Sequence, residues 1–383
     1  MKKVAIALIA IASAATLVGC SDGGGGSSGN AAVPSEDSPT YFYGPKNLAV
    51  HKIAGAPDAL LRILNENDTL TTCASNGMGE LSNCGIDELD GADVVHQMVV
   101  NPRTGSVYFL QDSTDSVLVC DGARGALSSC KPSTGGGAFK DPSSLALNDT
   151  GTVAYATNED DTLTVCQVLG DGGFSSCTVT DVNGALDTPV QVGLASGDYG
   201  THAFFLNGET KSMITGCTLA PGGMPSACQA QSNELFTAPA TMAFSPNGKY
   251  AYIGNVDDSI VACRIGNDAS LSACVATEAG EQEIFAGIQK IAVDADGTNL
   301  YAVSARNSRV THCKLKNGGA ELSDCNPYSI EGFMLTTDLA LNENLGSASL
   351  FLTSLYNDTV YGCALEPNGG FGESCVGTRF MEQ

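Results

Sequence analysis

Fourteen cysteines recur at nearly regular intervals along this chain of 383 residues, and their spacing constrains the fold more than any other feature. The two cysteines of each pair are 10 to 12 residues apart, and the first cysteines of successive pairs are 46 to 51 residues apart. A fixed period in this range indicates a repeat architecture, here of seven units that begin near Pro45. The pairs are Cys73/Cys84, Cys120/Cys130, Cys166/Cys177, Cys217/Cys228, Cys263/Cys274, Cys313/Cys325 and Cys363/Cys375.

Each repeat has the pattern of four short strands. The first is apolar with a small residue at its centre, as in Leu339-Ala340-Leu341, and the third strand ends near the first cysteine. Four-stranded units of this length resemble β-propeller blades, so we predict an all-β, seven-bladed β-propeller with four antiparallel strands per blade. The second strand carries an aromatic residue in six repeats, and Leu61 is assigned to that place in the first. The six are Tyr108, Tyr155, Phe204, Tyr252, Tyr301 and Phe351.

The two cysteines of each pair flank a turn between the third and fourth strands. They therefore lie opposite each other on one hairpin, close enough to bond. Zinc is the alternative, but structural zinc sites prefer cysteines two to four residues apart. We expect one disulfide in the outer hairpin of each blade, as suits an exported chain. The pattern leaves open how the ring of blades closes.

The N-terminus has the pattern of an export signal. Lys2 and Lys3 precede an apolar run that ends in Leu17-Val18-Gly19-Cys20, which resembles the bacterial lipoprotein lipobox. The resemblance implies that Cys20 is lipidated, an ordinary secreted protein being the alternative. We predict a signal peptide over residues 1–19, a lipidated cysteine and Gly/Ser-rich tether over 20–38, and the propeller over 39–383. The expected location is the bacterial cell envelope, and Ser21 favours the outer membrane.

The charge of the chain limits its partners. It has 18 Lys and Arg residues against 42 Asp and Glu, a formal net charge of −24. A nucleic-acid-binding protein needs a basic patch, so nucleic acid is excluded as a partner. An envelope or extracellular protein with a cationic surface fits better, and contact with the membrane is expected only through the lipid anchor.

One repeat carries a motif of a known family. Residues 246–255, PNGKYAYIGN, are close to the P-D-G-K-x-x-Y-V-x-N stretch of the YVTN/lactonase-like seven-bladed propellers, and residues 258–263 are similar to the stretch that follows. The resemblance implies the propeller fold. The family includes sugar-lactone hydrolases, surface proteins and cell-wall proteins, and no stretch of this sequence matches a lactonase active-site motif.

Two sets of polar residues are candidate sites. The residue immediately before the predicted first strand is polar in all seven repeats. Together these residues form a candidate ligand ring at the channel mouth: Asn47, Gln97, Ser144, Gln191, Thr241, Lys290 and Asp338. The alternative is that they only satisfy backbone groups at the strand starts. His96, beside Gln97, is a candidate general base, although a single histidine is more often structural.

The loop between the second and third strands is acidic. Its candidate partner-binding residues are Asp115, Asp160, Asp161, Asp257, Asp258 and Asp358. In five repeats an Asp stands five residues before the first cysteine, where we expect it to bond the backbone of its own turn. We expect no cofactor; calcium is the one ion that such carboxylates suggest, although no D-x-D-x-D loop is present.

These observations favour a lipid-anchored envelope binding or scaffold module that engages another protein through its acidic loop face. The alternative is a lactonase-like hydrolase acting on a small lactone or sugar at the channel mouth, and a structural surface-layer component is a third reading. Whether the chain is an enzyme stays open.

Overall fold

A computed structural model describes residues 42–378, except 53–57, 90–93, 124, 199, 209–211, 281–282 and 345–346. The chain divides into two units, Met1–Ser38 and Pro39–Gln383, and all described residues belong to the second. The predicted signal peptide, Cys20 and the tether lie outside the described residues. No helix of the described part is long and apolar enough to cross a membrane.

The described residues form seven sheets of four strands. Blade 1 contains β1 (Pro45–Lys52), β2 (Ala59–Asn65), β3 (Thr69–Ser75) and β4 (Leu81–Glu88). Blade 2 contains β5 (Val95–Val100), β6 (Val107–Gln111), β7 (Val117–Asp121) and β8 (Ser128–Ser133). Blade 3 contains β9 (Pro142–Leu147), β10 (Val153–Asn158), β11 (Leu163–Val168) and β12 (Phe174–Thr180). Blade 4 contains β13 (Pro189–Gly197), β14 (Gly200–Asn207), β15 (Met213–Leu219) and β16 (Pro225–Ser232).

The remaining three blades repeat this arrangement. Blade 5 contains β17 (Pro239–Phe244), β18 (Tyr250–Asn255), β19 (Ser259–Ile265) and β20 (Leu271–Glu278). Blade 6 contains β21 (Ile288–Val293), β22 (Asn299–Ser304), β23 (Arg309–Lys316) and β24 (Glu321–Ser329). Blade 7 contains β25 (Leu339–Asn344), β26 (Ser347–Ser354), β27 (Thr359–Leu365) and β28 (Phe371–Thr378). Short 3₁₀ turns cover Val182–Gly184 and Leu355–Asn357.

Every blade is built from four consecutive antiparallel strands, which confirms the predicted seven-bladed propeller. The first strands of neighbouring blades contact one another around the ring, and β25 of blade 7 contacts β1 of blade 1. Within residues 42–378, the ring therefore closes without a strand exchanged between its ends. The apolar core lies between blades: Phe42 and Leu61 of blade 1 pack with Phe351 and Val360 of blade 7.

The aromatic residue of the second strand pairs with the small residue at the centre of the first. Ala243 is opposite Tyr252 and Ala292 is opposite Tyr301. The small side chain leaves room for the aromatic ring beside the first strand. Blade 1 differs from the prediction, because Arg62, and not Leu61, stands opposite Ala49. The apolar character of Leu61 misled the alignment by one residue, and the guanidinium of Arg62 is fully buried in the aromatic position.

The seven predicted disulfides are present, one in each blade. Each joins the third and fourth strands with the two Cα atoms 4.0 to 4.1 Å apart. In chain order the bonds are Cys73–Cys84, Cys120–Cys130, Cys166–Cys177, Cys217–Cys228, Cys263–Cys274, Cys313–Cys325 and Cys363–Cys375. The pairing within repeats that the spacing predicts is therefore confirmed.

The expectation that the two cysteines of each pair lie opposite each other, close enough to bond, is confirmed, and in blade 7 Cys363 pairs with Cys375 in the strand register. In the other six blades the register shifts at the first cysteine, and the residue before the second cysteine is a non-glycine with φ between 46° and 51°. These six disulfides therefore each close a β-bulge, which adds a residue to the outer strand. The second cysteines of these bulges are Cys84, Cys130, Cys177, Cys228, Cys274 and Cys325.

The two halves of each disulfide differ in burial, which the sequence did not predict. All seven first cysteines are buried in the core, since the third strand lies inside the blade. The second cysteines lie on the outer strand and are only half-buried. They pack at the edge of the core clusters, as Cys84 does beside Leu61 and Cys375 beside Tyr361. Each disulfide thus ties the outermost strand of its blade to the buried strand next to it.

Candidate interaction face and channel mouth

One face of the propeller, the loop face, is formed by the loops between the second and third strands and by the segments that precede the first strands. The residue five positions before the first cysteine lies in each of these loops and accepts a hydrogen bond from a backbone N–H of the next blade. We call the seven residues the inter-blade acceptors. They are Asp68, Asp115, Asp161, Ser212, Asp258, Ser308 and Asp358.

The inter-blade acceptors hold the start of each following blade. The carboxylate of Asp68 accepts from Val95 N at 3.1 Å, and that of Asp258 accepts from Gly287 N at 2.9 Å. Six of the seven have φ between 43° and 68°, a conformation that Asp tolerates better than most residues. The expectation that these Asp side chains bond their own turns is wrong, since their acceptor oxygens reach across the blade boundary.

The acidic candidates consequently fall into two groups. Asp115, Asp161, Asp258 and Asp358 are inter-blade acceptors, and Asp258 also forms an ion pair with Arg306. Their carboxylates are committed to the assembly of the ring. The other two, Asp160 and Asp257, are exposed.

The carboxylates of Asp160 and Asp257 form hydrogen bonds within their own loops. Asp160 accepts from Thr162, and Asp257 accepts from the hydroxyl of Ser259 at 2.7 Å. A carboxylate held in this way keeps oxygen lone pairs facing solvent. Asp115 is exposed as well, but its carboxylate accepts from Asp141 N and lies 3.6 Å from Lys140 Nζ. Asp160 and Asp257 are therefore the exposed candidates that bond neither the next blade nor a cation among the described residues.

The candidate ring at the channel mouth also connects neighbouring blades. Six of its residues lie inside the first strands, and Asp338 immediately precedes β25. The side chain of Asn47 accepts from Met98 N at 3.1 Å, and that of Gln97 accepts from Leu145 N at 2.8 Å.

The same bond recurs further round the mouth. Ser144 accepts from Val192 N at 3.2 Å and Gln191 from Met242 N at 3.1 Å. These side chains satisfy N–H groups of the next innermost strand, which has no further strand on its inner side. Thr241 is buried, and its hydroxyl has no hydrogen-bond partner among the described residues.

Lys290 interrupts this pattern because an ammonium group cannot accept a hydrogen bond. The carboxylate of Asp338 compensates: Oδ1 accepts from Leu339 N at 2.9 Å and lies 3.9 Å from Lys290 Nζ. Oδ2 accepts from Leu48 N at 2.8 Å and from the side chain of Asn47 at 2.5 Å, which links blade 7 to blade 1. Burial raises the pKa of Asp338, while Lys290 and these donors oppose the shift.

His96 lies next to the ring with a carboxylate partner. Its Nδ1 is 2.9 Å from Asp112 Oδ1, and both side chains are partly exposed. Glu159 of the next blade belongs to the same neighbourhood. Burial raises the pKa of Glu159, as do Asp141 and Asp112, while His96 opposes the shift. The described residues contain no group of three or more His, Cys, Asp or Glu side chains placed to hold a metal ion, so the calcium hypothesis gains no ligand set from them.

Four large apolar side chains are exposed on the loop face around blade 7. Tyr43 precedes β1 at the junction of blades 7 and 1, Tyr356 lies between β26 and β27, and Met334 and Leu335 precede β25 at the junction of blades 6 and 7. We call them the tyrosine patch: Tyr43 (57% exposed), Met334 (47%), Leu335 (38%) and Tyr356 (75%). Two hydrogen bonds, one to a carboxylate and one between backbone groups, connect the segments that carry these side chains. Gly44 N donates to Asp358 at 2.6 Å, and Leu355 N donates to the carbonyl of Leu335 at 3.2 Å.

Sequence reasoning missed three features of the structure, the first and third of them on the loop face. Ser212 and Ser308 share the acceptor position with five Asp residues, and the invariably polar residue there was a usable signal. Arg62 donates to the carbonyl of Gly122 in the next blade, as Tyr252 donates to that of Gly319 at 2.8 Å. The tyrosine patch had no signal, because exposure depends on how the loops pack.

No protein-family model matches this sequence, and no curated protein sequence matches it either. Solved structures resemble it in fold. A putative 6-phosphogluconolactonase from Bacteroides fragilis has a TM-score of 0.63 at 16% identity, covering 91% of this chain and 98% of its own. A functionally unknown protein from Desulfotomaculum acetoxidans has a TM-score of 0.60 at 13% identity, covering 81% and 92%.

A third similar structure has a different chemistry. Hydrazine synthase from Kuenenia stuttgartiensis has a TM-score of 0.60 at 13% identity, covering 87% of this chain and 99% of its own. At these identities the likeness extends to the propeller fold alone. The fold is therefore shared by proteins with different names and chemistries, and function has to be argued from the residues of this chain.

Proposed function

We propose that this chain is a lipid-anchored binding or scaffold module of the bacterial envelope, which engages another envelope or extracellular protein through its loop face. The observation that carries the proposal is the division of the acidic residues. Asp160 and Asp257 are exposed and bonded only within their own loops among the described residues, while the inter-blade acceptors are used by the fold. Outward carboxylates of this kind favour a cationic protein surface.

The channel mouth supports a ligand site less well. Five of the seven ring residues direct a polar side-chain atom to the backbone of the neighbouring first strand. A ligand competing for these atoms would have to break the bonds that join the blades. These bonds favour the loops over the ring as the binding surface.

The test is affinity capture of the full-length protein from its own cells in mild detergent. We expect a protein in stoichiometric amount that is released as the salt concentration rises, because exposed charge pairs are screened beyond roughly 8 Å at physiological ionic strength. Absence of a stoichiometric partner, or a partner that rising salt does not release, would contradict the proposal.

A sugar-lactone hydrolase is the second candidate, and the pairing of His96 with Asp112 is the observation that favours it. A carboxylate on Nδ1 orients an imidazole so that its other nitrogen can take a proton from water. The resemblance to a putative 6-phosphogluconolactonase suggests the substrate class. Hydrolysis of a 6-phosphogluconolactone by the full-length protein, abolished by His96→Gln and retained by Gln289→Ala, would support it. Hydrolysis no faster than in buffer would eliminate it.

A further inference from the structure

We infer that the tyrosine patch is the apolar part of the binding face, and that it receives a basic protein segment carrying an aromatic or aliphatic side chain. This inference rests on the proposed function and names the chemistry of its partner. Three features carry it: the exposure of the patch, the ordered surface beneath it, and the charges around it.

The exposure is unusual for side chains of this kind. Tyr356 is 75% exposed at the tip of its loop, and Tyr43 is 57% exposed one residue before Gly44. Exposed clusters of large apolar residues mark interaction sites more often than single ones do. Tyrosine and methionine are enriched at the centres of protein interfaces, where they supply most of the contact area.

The surface beneath the patch is held in place. Phe42, next to Tyr43, is fully buried in the core between blades 7 and 1. Met334 N donates to the hydroxyl of Ser354 at 3.0 Å, and that hydroxyl donates back to the Met334 carbonyl at 2.9 Å. A surface that is already ordered loses little conformational entropy when a partner binds.

The charges around the patch indicate what the partner carries. Glu66 is exposed and its backbone N–H donates to the carbonyl of Tyr43 at 2.9 Å, and the exposed Glu331 lies three residues before Met334. Two bases lie near the patch. Lys46 Nζ is 3.5 Å from Asp68 Oδ1, and Arg309, which follows the Ser308 that bonds Leu335 N, is half-buried. An apolar centre with an acidic border fits a segment with an apolar anchor between Lys or Arg residues. The same carboxylates disfavour the surface of an anionic bilayer.

The test places a photo-crosslinking amino acid at Tyr356 of the full-length protein in its own cells. A second protein carries the same amino acid at Asp257, to detect any partner bound to the rest of the loop face. A third carries it at Val179, which is 44% exposed on an outer strand, as the control. We expect Tyr356 to crosslink to a protein segment of net positive charge through an apolar residue, and Val179 not to. A synthetic peptide of that segment should bind the full-length protein at least about tenfold more weakly after Tyr356→Ser, and with unchanged affinity after Val179→Ser.

Each other outcome overturns the inference. A crosslink from Tyr356 to lipid would assign the patch to the membrane, and one to a second copy would make it a self-association surface. A neutral or acidic segment would contradict the charge argument. Crosslinking from Asp257 without crosslinking from Tyr356 would leave the proposed function standing and reject the patch, whereas no crosslink from either position would reject both.

Discussion

The carboxylate of Asp358 accepts a hydrogen bond from the backbone N–H of Gly44 at 2.6 Å, across 314 residues of sequence. This bond joins the last blade to the first, and the other six blade junctions have an equivalent bond. The ring is therefore closed by a side chain that occupies the same repeat position as the acceptors of the other blades. Loss of this bond should weaken the closure specifically.

Asp358→Ala should lower the free energy of unfolding by about 1–3 kcal/mol, because it leaves the Gly44 N–H without its charged acceptor. Asp358→Asn should retain most of the stability, since Asn accepts the same bond and tolerates positive φ. Denaturant unfolding of the three proteins measures the difference. Equal losses for Ala and Asn would show that the bond to Gly44 does not stabilise the closure.

Arg62→Tyr should leave stability unchanged or raise it by about 1 kcal/mol, because replacing a buried charge by a well-packed neutral side chain is often neutral or favourable. Burial lowers the pKa of Arg62 to about 10, and its Nε and one terminal nitrogen have no hydrogen-bond partner among the described residues. A tyrosine hydroxyl can instead donate to Gly122, as in other blades. Arg62→Ala, which leaves a cavity, is the matched comparison; a thermal midpoint for Arg62→Tyr as low as for Arg62→Ala would contradict the prediction.

Replacing both Cys263 and Cys274 by Ala should lower the free energy of unfolding by about 2–3 kcal/mol, since the bond closes a short loop in the unfolded chain. The two cysteines are 11 residues apart. The comparison is made by denaturant unfolding under oxidising conditions, after peptide mapping has located the bond in the parent protein. A variant as stable as the parent would mean that the outer hairpin of blade 5 does not need its disulfide.

His312 should make the protein less stable as the pH falls from about 6.5 to about 4. Its ring is 4% exposed, Nε2 is 2.8 Å from Asn299 Oδ1, and it stacks on Tyr301. Burial, followed by the charge of Lys314, lowers its pKa to about 4, against a smaller opposing effect of Asp294. Across this window the unfolded chain binds a proton that the folded chain does not, so acid favours unfolding.

The measurement is the free energy of unfolding at pH 7, 5.5 and 4.5 for the parent and for His312→Gln. The loss on acidification should be smaller in the variant. It should not vanish, because burial also lowers the pKa values of His51 and His202. Identical slopes for the two proteins would show that His312 contributes nothing to the pH dependence.

The sequence predicted the fold in detail because the cysteine spacing marks the same hairpin in every repeat. It failed at Arg62, where alternation of apolar residues could not distinguish a buried guanidinium from its leucine neighbour. It also failed for the partners of the Asp residues, because each one bonds a backbone N–H of the next blade. That group is 26 to 29 residues further along the chain for four of them, and for Asp358 it is Gly44, 314 residues away. A backbone N–H is present at almost every residue, so the sequence does not indicate which one each Asp bonds. Only the assembled blades show it.

The sequence indicated which polar and acidic residues belong to the candidate sites, but not which of them bond the neighbouring blade. Of the candidates for ligand and partner binding, Gln97 and Asp161 bond the backbone of the next blade. The functional part of the face therefore had to be separated from the structural part by their hydrogen bonds. That separation also decides which substitutions can test function without weakening the ring.

The most direct test of the proposed function compares partner capture by three full-length proteins. The parent is compared with the double variant Asp160→Asn/Asp257→Asn, and with Asp149→Asn/Asp268→Asn, which removes the same charge from turns on the opposite face. We predict that the parent and the opposite-face variant retain a stoichiometric protein partner and that the loop-face variant loses most of it. Equal capture by all three proteins, or equal loss in both variants, would contradict binding through the loop face.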